Sequence, residues 1–135
     1  MIRWLNHTAD IQIEIICDRY EEIFVDFVEG LRTLLVTGEV QSLKAEKMGL
    51  KEADPSALLV SLGRQVLFYF NMKQFVSSHL EVHTATPTTL KGILWGQTFD
   101  PHRHEYNIEV KGITYHDLKV ENGGGKWFAI VTFDV

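Results

Sequence analysis

Cysteine is almost absent from this chain: Cys17 stands alone among 135 residues. That excludes an internal disulfide framework and a sulfur-rich zinc site, and it fits a reducing, cytoplasmic compartment. Positive charge is also scarce, with 13 Lys and Arg against 18 Asp and Glu, a formal net charge of −5 and a pI near 5.6. A surface of that sign opposes any broad grip on a phosphate backbone, so RNA contact is expected to be indirect or transient. No apolar run reaches the roughly 18 residues of a membrane span, and Met1 to His7 lacks the apolar centre of a secretory signal. There is no repeat, low-complexity tract or linker. The glycine run Gly123 to Gly125 joins two strand patterns and is not followed by a helix start, so it reads as a turn and not as a phosphate loop. The expectation is one domain over residues 1–135, in the ordinary size range for a single core.

What is present is clear periodicity. Ile11, Ile13 and Ile15 alternate with Gln12 and Glu14, the pattern of a half-buried strand that places Asp10 on the polar face. Asp18 and Glu21 form a capping-box-like start to a helix over 20–36, whose buried stripe is Ile23, Phe24, Phe27, Val28, Leu31, Leu34 and Leu35. Residues 40–50 read as a short or edge strand. Asp54 and Pro55 open a second helix with a Leu58, Leu59, Leu62, Val66, Leu67 and Phe70 stripe, ending near Asn71; Gly63 inside it marks close packing or a partner's approach. Beyond Val76 the character is β, with a hairpin through residues 84–88. Tyr106, Ile108 and Val110 change parity to Ile113 and Tyr115, which predicts a bulge at Lys111-Gly112. A second hairpin turns at 122–125, and its last strand places Trp127, Ala129, Val131, Phe133 and Val135 on one face with Phe128 and Ile130 on the other. Strands with two clustered helices predict an α+β fold, a mostly antiparallel sheet or sheets with both helices packed on one face.

Oxygen chemistry is concentrated near the end of the chain. Asp134 and a Val135 carboxylate offer hard donors of the kind Ca²⁺ or Mg²⁺ prefers, with Asp10 as a third candidate. The same residues also read as solvent-facing strand-end charges. Lys111 reads either as a solvated edge charge or as a cation aimed at a partner. His102 and His104, with Asp100 nearby, have the alternate spacing of a transition-metal pair and equally that of a polar loop. Cys17 reads as a small buried hydrophobe.

The stretches His7-Thr8-Ala9-Asp10-Ile11, Asp100-Pro101-His102-Arg103-His104, Glu109-Val110-Lys111-Gly112-Ile113-Thr114-Tyr115-His116 and Phe133-Asp134-Val135, in this order, resemble archease. The resemblance spans essentially the whole chain and departs from the family pattern in the second helix, at Ser61-Leu62-Gly63-Arg64. It implies an archease-like fold and a protein cofactor, not an enzyme, that activates the GTP-dependent tRNA-splicing RNA ligase by promoting its guanylylation and multiple turnover. It also implies a divalent cation, foremost Ca²⁺ with Mg²⁺ or Mn²⁺ as alternatives, at Asp10, Asp134 and Val135, with Lys111 supporting activity. Two other readings stay open: a chaperone-like modulator of tRNA methylation acting on a tRNA methyltransferase or other clients, and a small metal-dependent hydrolase using Asp10 with His102 or His104.

Overall fold

The computed structural model describes residues 1–6 and 10–135. Their elements run β1 (Ile2–Asn6), β2 (Asp10–Cys17), α1 (Tyr20–Leu35), β3 (Val36–Thr37), β4 (Lys44–Lys51) and α2 (Pro55–Lys73). There follow β5 (Phe75–Ala85), β6 (Thr89–Thr98), β7 (Glu105–Tyr106), β8 (Gly112–Gly123) and β9 (Lys126–Asp134). One sheet has the order β1-β2-β9-β8, a second β4-β6-β5, and β3 pairs with β7. Every one of these pairings is antiparallel. The two helices serve both main sheets, α1 lying against β2, β9 and β5, and α2 against β8 and β5. The expected α+β architecture with helices on one sheet face is therefore what forms.

The helical stripe predicted for α1 is buried throughout, and Phe27 stacks on Phe133 of β9 at 5.9 Å. Burying each such side chain contributes on the order of 1.5–3 kcal/mol, which is why this stripe and not local propensity holds α1 in place. The cap falls one residue later than predicted. Glu22 Oε1 accepts from the Arg19 N–H at 3.0 Å, making Arg19 the N-cap, while Asp18 binds the Lys126 ammonium instead. In α2 the predicted cap holds, Asp54 accepting from the Ala57 N–H at 2.8 Å with Pro55 at the first helical position. This helix runs to Lys73, beyond the expected Asn71, and ends on Gln74 in the left-handed conformation. A Cβ added to Gly63 would lie 2.5 Å from Ile113 Cδ1 and 3.1 Å from Phe27 Cζ. The Ser61 to Arg64 departure thus places a glycine where α2 meets β8 inside the core.

Two expectations are corrected in the C-terminal half. Residues 107–111 are not strand, so the parity switch at Lys111-Gly112 is a strand start and not a bulge. The bulge lies further along: Thr114 pairs with Thr132 and Lys119 with Ile130, so residues 115–118 are opposed only by Val131. Asp117 takes a positive φ there. The second hairpin turns on Gly124 and Gly125, both at positive φ, as a two-residue turn matching strand twist requires.

Candidate functional site

Strand register decides what lies together at one end of the four-stranded sheet. In the β2–β9 ladder Asp10 stands opposite Asp134, and in the β8–β9 ladder Gly112 stands opposite the same Asp134. Residues directly opposite in an antiparallel pair project to one face, with Cβ atoms about 4.5–5.5 Å apart. Ile11, Ile13, Phe133 and Val131 face the helices, so Asp10 and Asp134 occupy the opposite, outward face. Among the described residues neither carboxylate is ion-paired, and like charges so placed repel. Lys111 is next to this row: its N–H donates to the Asp134 carbonyl at 2.8 Å, while its side chain is exposed. Val135 is half-buried and packs against the core. The four residues singled out in the sequence are thus gathered at one sheet end, although 124 positions separate Asp10 from Asp134 in the chain.

Beneath the acidic row lies a polar layer that alternation alone does not reveal. Alternation assigns Gln12 to a solvated face, yet it is 5 % exposed, and Thr132 opposite it is fully buried. Gln12 Nε2 donates to Thr132 Oγ1 at 2.9 Å and lies 3.5 Å from Asp117 Oδ2. Thr132 Oγ1 in turn donates to the His116 carbonyl at 3.0 Å. The 115–118 bulge therefore covers this layer and ties β8 to the strands carrying the acids. On its other side Asp10 lines a cleft of about 490 Å³ with Trp4, Leu5, Ile11, Thr33, Leu34 and Asn107. The cleft wall is fixed by the end of α1, whose Leu34 and Leu35 carbonyls accept from the Ile108 and Asn107 N–H groups. Trp4, 47 % exposed, forms its apolar rim.

The histidine pair separates. His102 is exposed on a turn, whereas His104 is buried to 2 % exposure. The Asp100 N–H donates to His104 Nδ1 at 2.9 Å, so Nε2 carries the proton and donates to the Glu39 carbonyl at 2.8 Å. Both nitrogens are consumed in joining the 100–104 turn to the segment after β3, which leaves no ligand lone pair for a transition metal or a hydrolytic step. No cluster of three or more His, Cys, Asp or Glu residues able to hold a metal is found among the described residues. His7 lies outside them. Cys17 is buried, its thiol donating to the Arg19 carbonyl at 3.3 Å; burial, with Asp26 and Glu22 nearby, pushes its pKa up to about 11. A thiol so held is not a nucleophile at neutral pH.

Comparison with known proteins places this geometry in a family. The model of the Archease protein family matches residues 3–135. Protein archease of Pyrococcus abyssi is 32% identical over 142 residues, covering 100% of both chains. Protein archease of Thermococcus kodakarensis is 32% identical, covering 96% of each. Protein 1598 of Methanobacterium thermoautotrophicum, solved in solution, superposes with a TM-score of 0.80 at 18% identity over 99% of this chain and 98% of that one. The crystal structure of a Thermotoga maritima protein, described as an archease and possible chaperone, superposes with a TM-score of 0.60 at 20% identity, covering 100% and 98%. No helix among the described residues is long and apolar enough to cross a membrane. With its family model matched almost end to end and the fold shared with solved members, the chain belongs to the archease family.

Proposed function

We propose that this chain is a metal-binding accessory protein that activates the GTP-dependent tRNA-splicing RNA ligase, promoting its guanylylation and multiple turnover without performing the nucleotidyl transfer. The observation that carries the reading is the Asp10–Asp134 register at an exposed sheet end. The fit to a divalent ion follows from the donor chemistry. Two carboxylates on one face, neither of them ion-paired among the described residues, favour a hard ion such as Ca²⁺, with Mg²⁺ or Mn²⁺ as substitutes. Asp10, Asp134 and Val135 would hold it, and water would complete a shell that two side chains cannot close. When bound, the ion supplies fixed positive charge able to offset charge developing on a phosphate. The residues of this chain do the rest: the β2–β9 ladder fixes the spacing of the acids, the Gln12–Thr132 layer stiffens the strands below them, and Lys111 presents an exposed ammonium beside them. The adjoining cleft at Trp4 and Leu5 offers a partner side chain a place to seat.

The description of the Thermotoga maritima relative as a possible chaperone favours a second reading, in which the partner is a varied client and not one ligase. A ligase guanylylation assay with and without chelator, run beside Asp10→Ala, separates the two. Stimulation at substoichiometric protein that disappears with chelator and in the variant is expected. Full stimulation by a folded Asp10→Ala chain would refute the proposal.

A further inference from the structure

The deficit of positive charge read from the sequence hides a local excess. On the face of the three-stranded sheet turned away from the helices, Gly49 of β4 stands opposite Lys91 of β6, and Lys47 and Lys51 flank Gly49 at the two-residue spacing that keeps them on the same face. These three lysines are exposed, and none is ion-paired among the described residues. Two shallow depressions of about 320 Å³ each adjoin there, one including Lys47, Gly49, His83 and Lys91, the other Gly49, Lys51 and Lys91. Their shared floor is Gly49, where an added Cβ would meet nothing within 4 Å. Side chains diagonal to one another on a sheet lie within about 7–8 Å, so the three ammonium groups repel, and an anion seated between them would relieve the repulsion.

The same face continues into an aromatic platform. Along β6, Lys91, Ile93 and Trp95 share the outward side, and Trp95 is flanked by Ala45 on β4 and His79 on β5. Ala45 is small, and Trp95 beside it is half-buried, so part of the ring stays accessible. The indole N–H donates to Glu81 Oε1 at 3.2 Å, which fixes the ring. Glu81, the acid on this face, is also engaged by His83, and that pairing holds its carboxyl below the usual carboxylate range. A triangle of exposed cations beside a fixed aromatic ring on an open sheet is the arrangement that takes phosphates at one end and stacks a base at the other.

We infer that the outer face of the β4-β6-β5 sheet binds a short stretch of single-stranded nucleic acid, its phosphates at Lys47, Lys51 and Lys91 and a base on Trp95. The surface is separate from the acidic end of the other sheet and does not depend on a metal there. A duplex has no unstacked base to offer, so single strands are preferred. The overall charge of −5 keeps the affinity modest and strongly salt-dependent.

The test is fluorescence anisotropy of a labelled short oligouridylate with the full chain at low salt, repeated with the matching DNA, a duplex and heparin. Saturable binding of the single strand is expected. The combined variant Lys47→Gln, Lys51→Gln and Lys91→Gln should flatten the log–log salt dependence by about 2, since each phosphate contact on a single strand contributes about 0.7. Trp95→Leu should weaken binding on the order of ten-fold and Trp95→Phe should restore most of it. Asp10→Ala should bind the oligonucleotide as wild type does, so failure of the ligase reading and failure of this one are told apart. No binding at low salt, an unchanged salt slope in a folded triple variant, or duplex and heparin bound as well as the single strand with no effect of Trp95→Leu would overturn the inference.

Discussion

The two main sheets bury similar inner faces and differ in what they turn outward. The four-stranded sheet ends in two opposed carboxylates supported by a buried Gln12–Thr132 layer and a covering bulge. The three-stranded sheet presents lysines around a bare glycine and a half-buried tryptophan. Its own irregularities face inward instead: a Cβ on Gly92 or Gly96 would lie 2.0 Å from the Glu81 or Val76 carbonyl, where β5 shifts register against β6. The first sheet therefore uses its bulge to arrange polar groups, the second to pack backbone against backbone. Net charge, an average over both, describes neither.

Three substitutions probe this contrast. Phe133 lies immediately before Asp134 and stacks on Phe27, so Phe133→Ala should cost about 3–5 kcal/mol in urea unfolding and disorder the acidic row together with the core. Thr132→Val removes both a donor and an acceptor from the layer under the acids. It should cost about 1–3 kcal/mol and speed amide exchange in residues 115–118 while leaving exchange in β4 unchanged. The smallest effect belongs to Asp18, a surface carboxylate held below its usual range by hydrogen bonding to Lys126 and by that residue's charge. A depressed folded value contributes stability above the unfolded value, and this is lost as pH falls through the folded one. Asp18→Asn should remove only that acid-side increment, seen as a slightly flatter Tm against pH below the ordinary carboxylate range.

Both helices are legible because a 3.6-residue apolar stripe has no competing interpretation, and the α2 cap is legible because Asp-Pro is a strong local signal. The α1 cap slips by one residue because Asp18 meets a distant lysine, Lys126, that no local pattern contains. The strand Ile2–Asn6 goes unread in the sequence; five residues with alternate apolar positions carry little signal until β2 is there to pair with. Gln12 and Glu14 look alike by alternation, yet only Gln12 is buried, because the bulge that covers it lies roughly a hundred residues away. The phase change near Lys111 is real but has another cause, since a loop ending in a strand and a bulge within one shift parity in the same way. His102 and His104 look like a pair because spacing assumes a strand, and the chain turns there instead. Of the candidate residues, Asp10 and Asp134 can be singled out by chemistry, but their pairing depends on register, which only the folded sheet fixes.

The strand bearing Asp134 sits between β2 and β8 and follows the other described elements along the chain. Since synthesis proceeds from the N-terminus, β2 and β8 must wait for an insertion that comes after both, and its contacts are among the most distant in sequence. Nascent chains halted before β9 would leave Asp10 on an unzipped ladder. The acidic pair is in this sense a certificate of completed assembly, displayed only by molecules whose central strand has slid home.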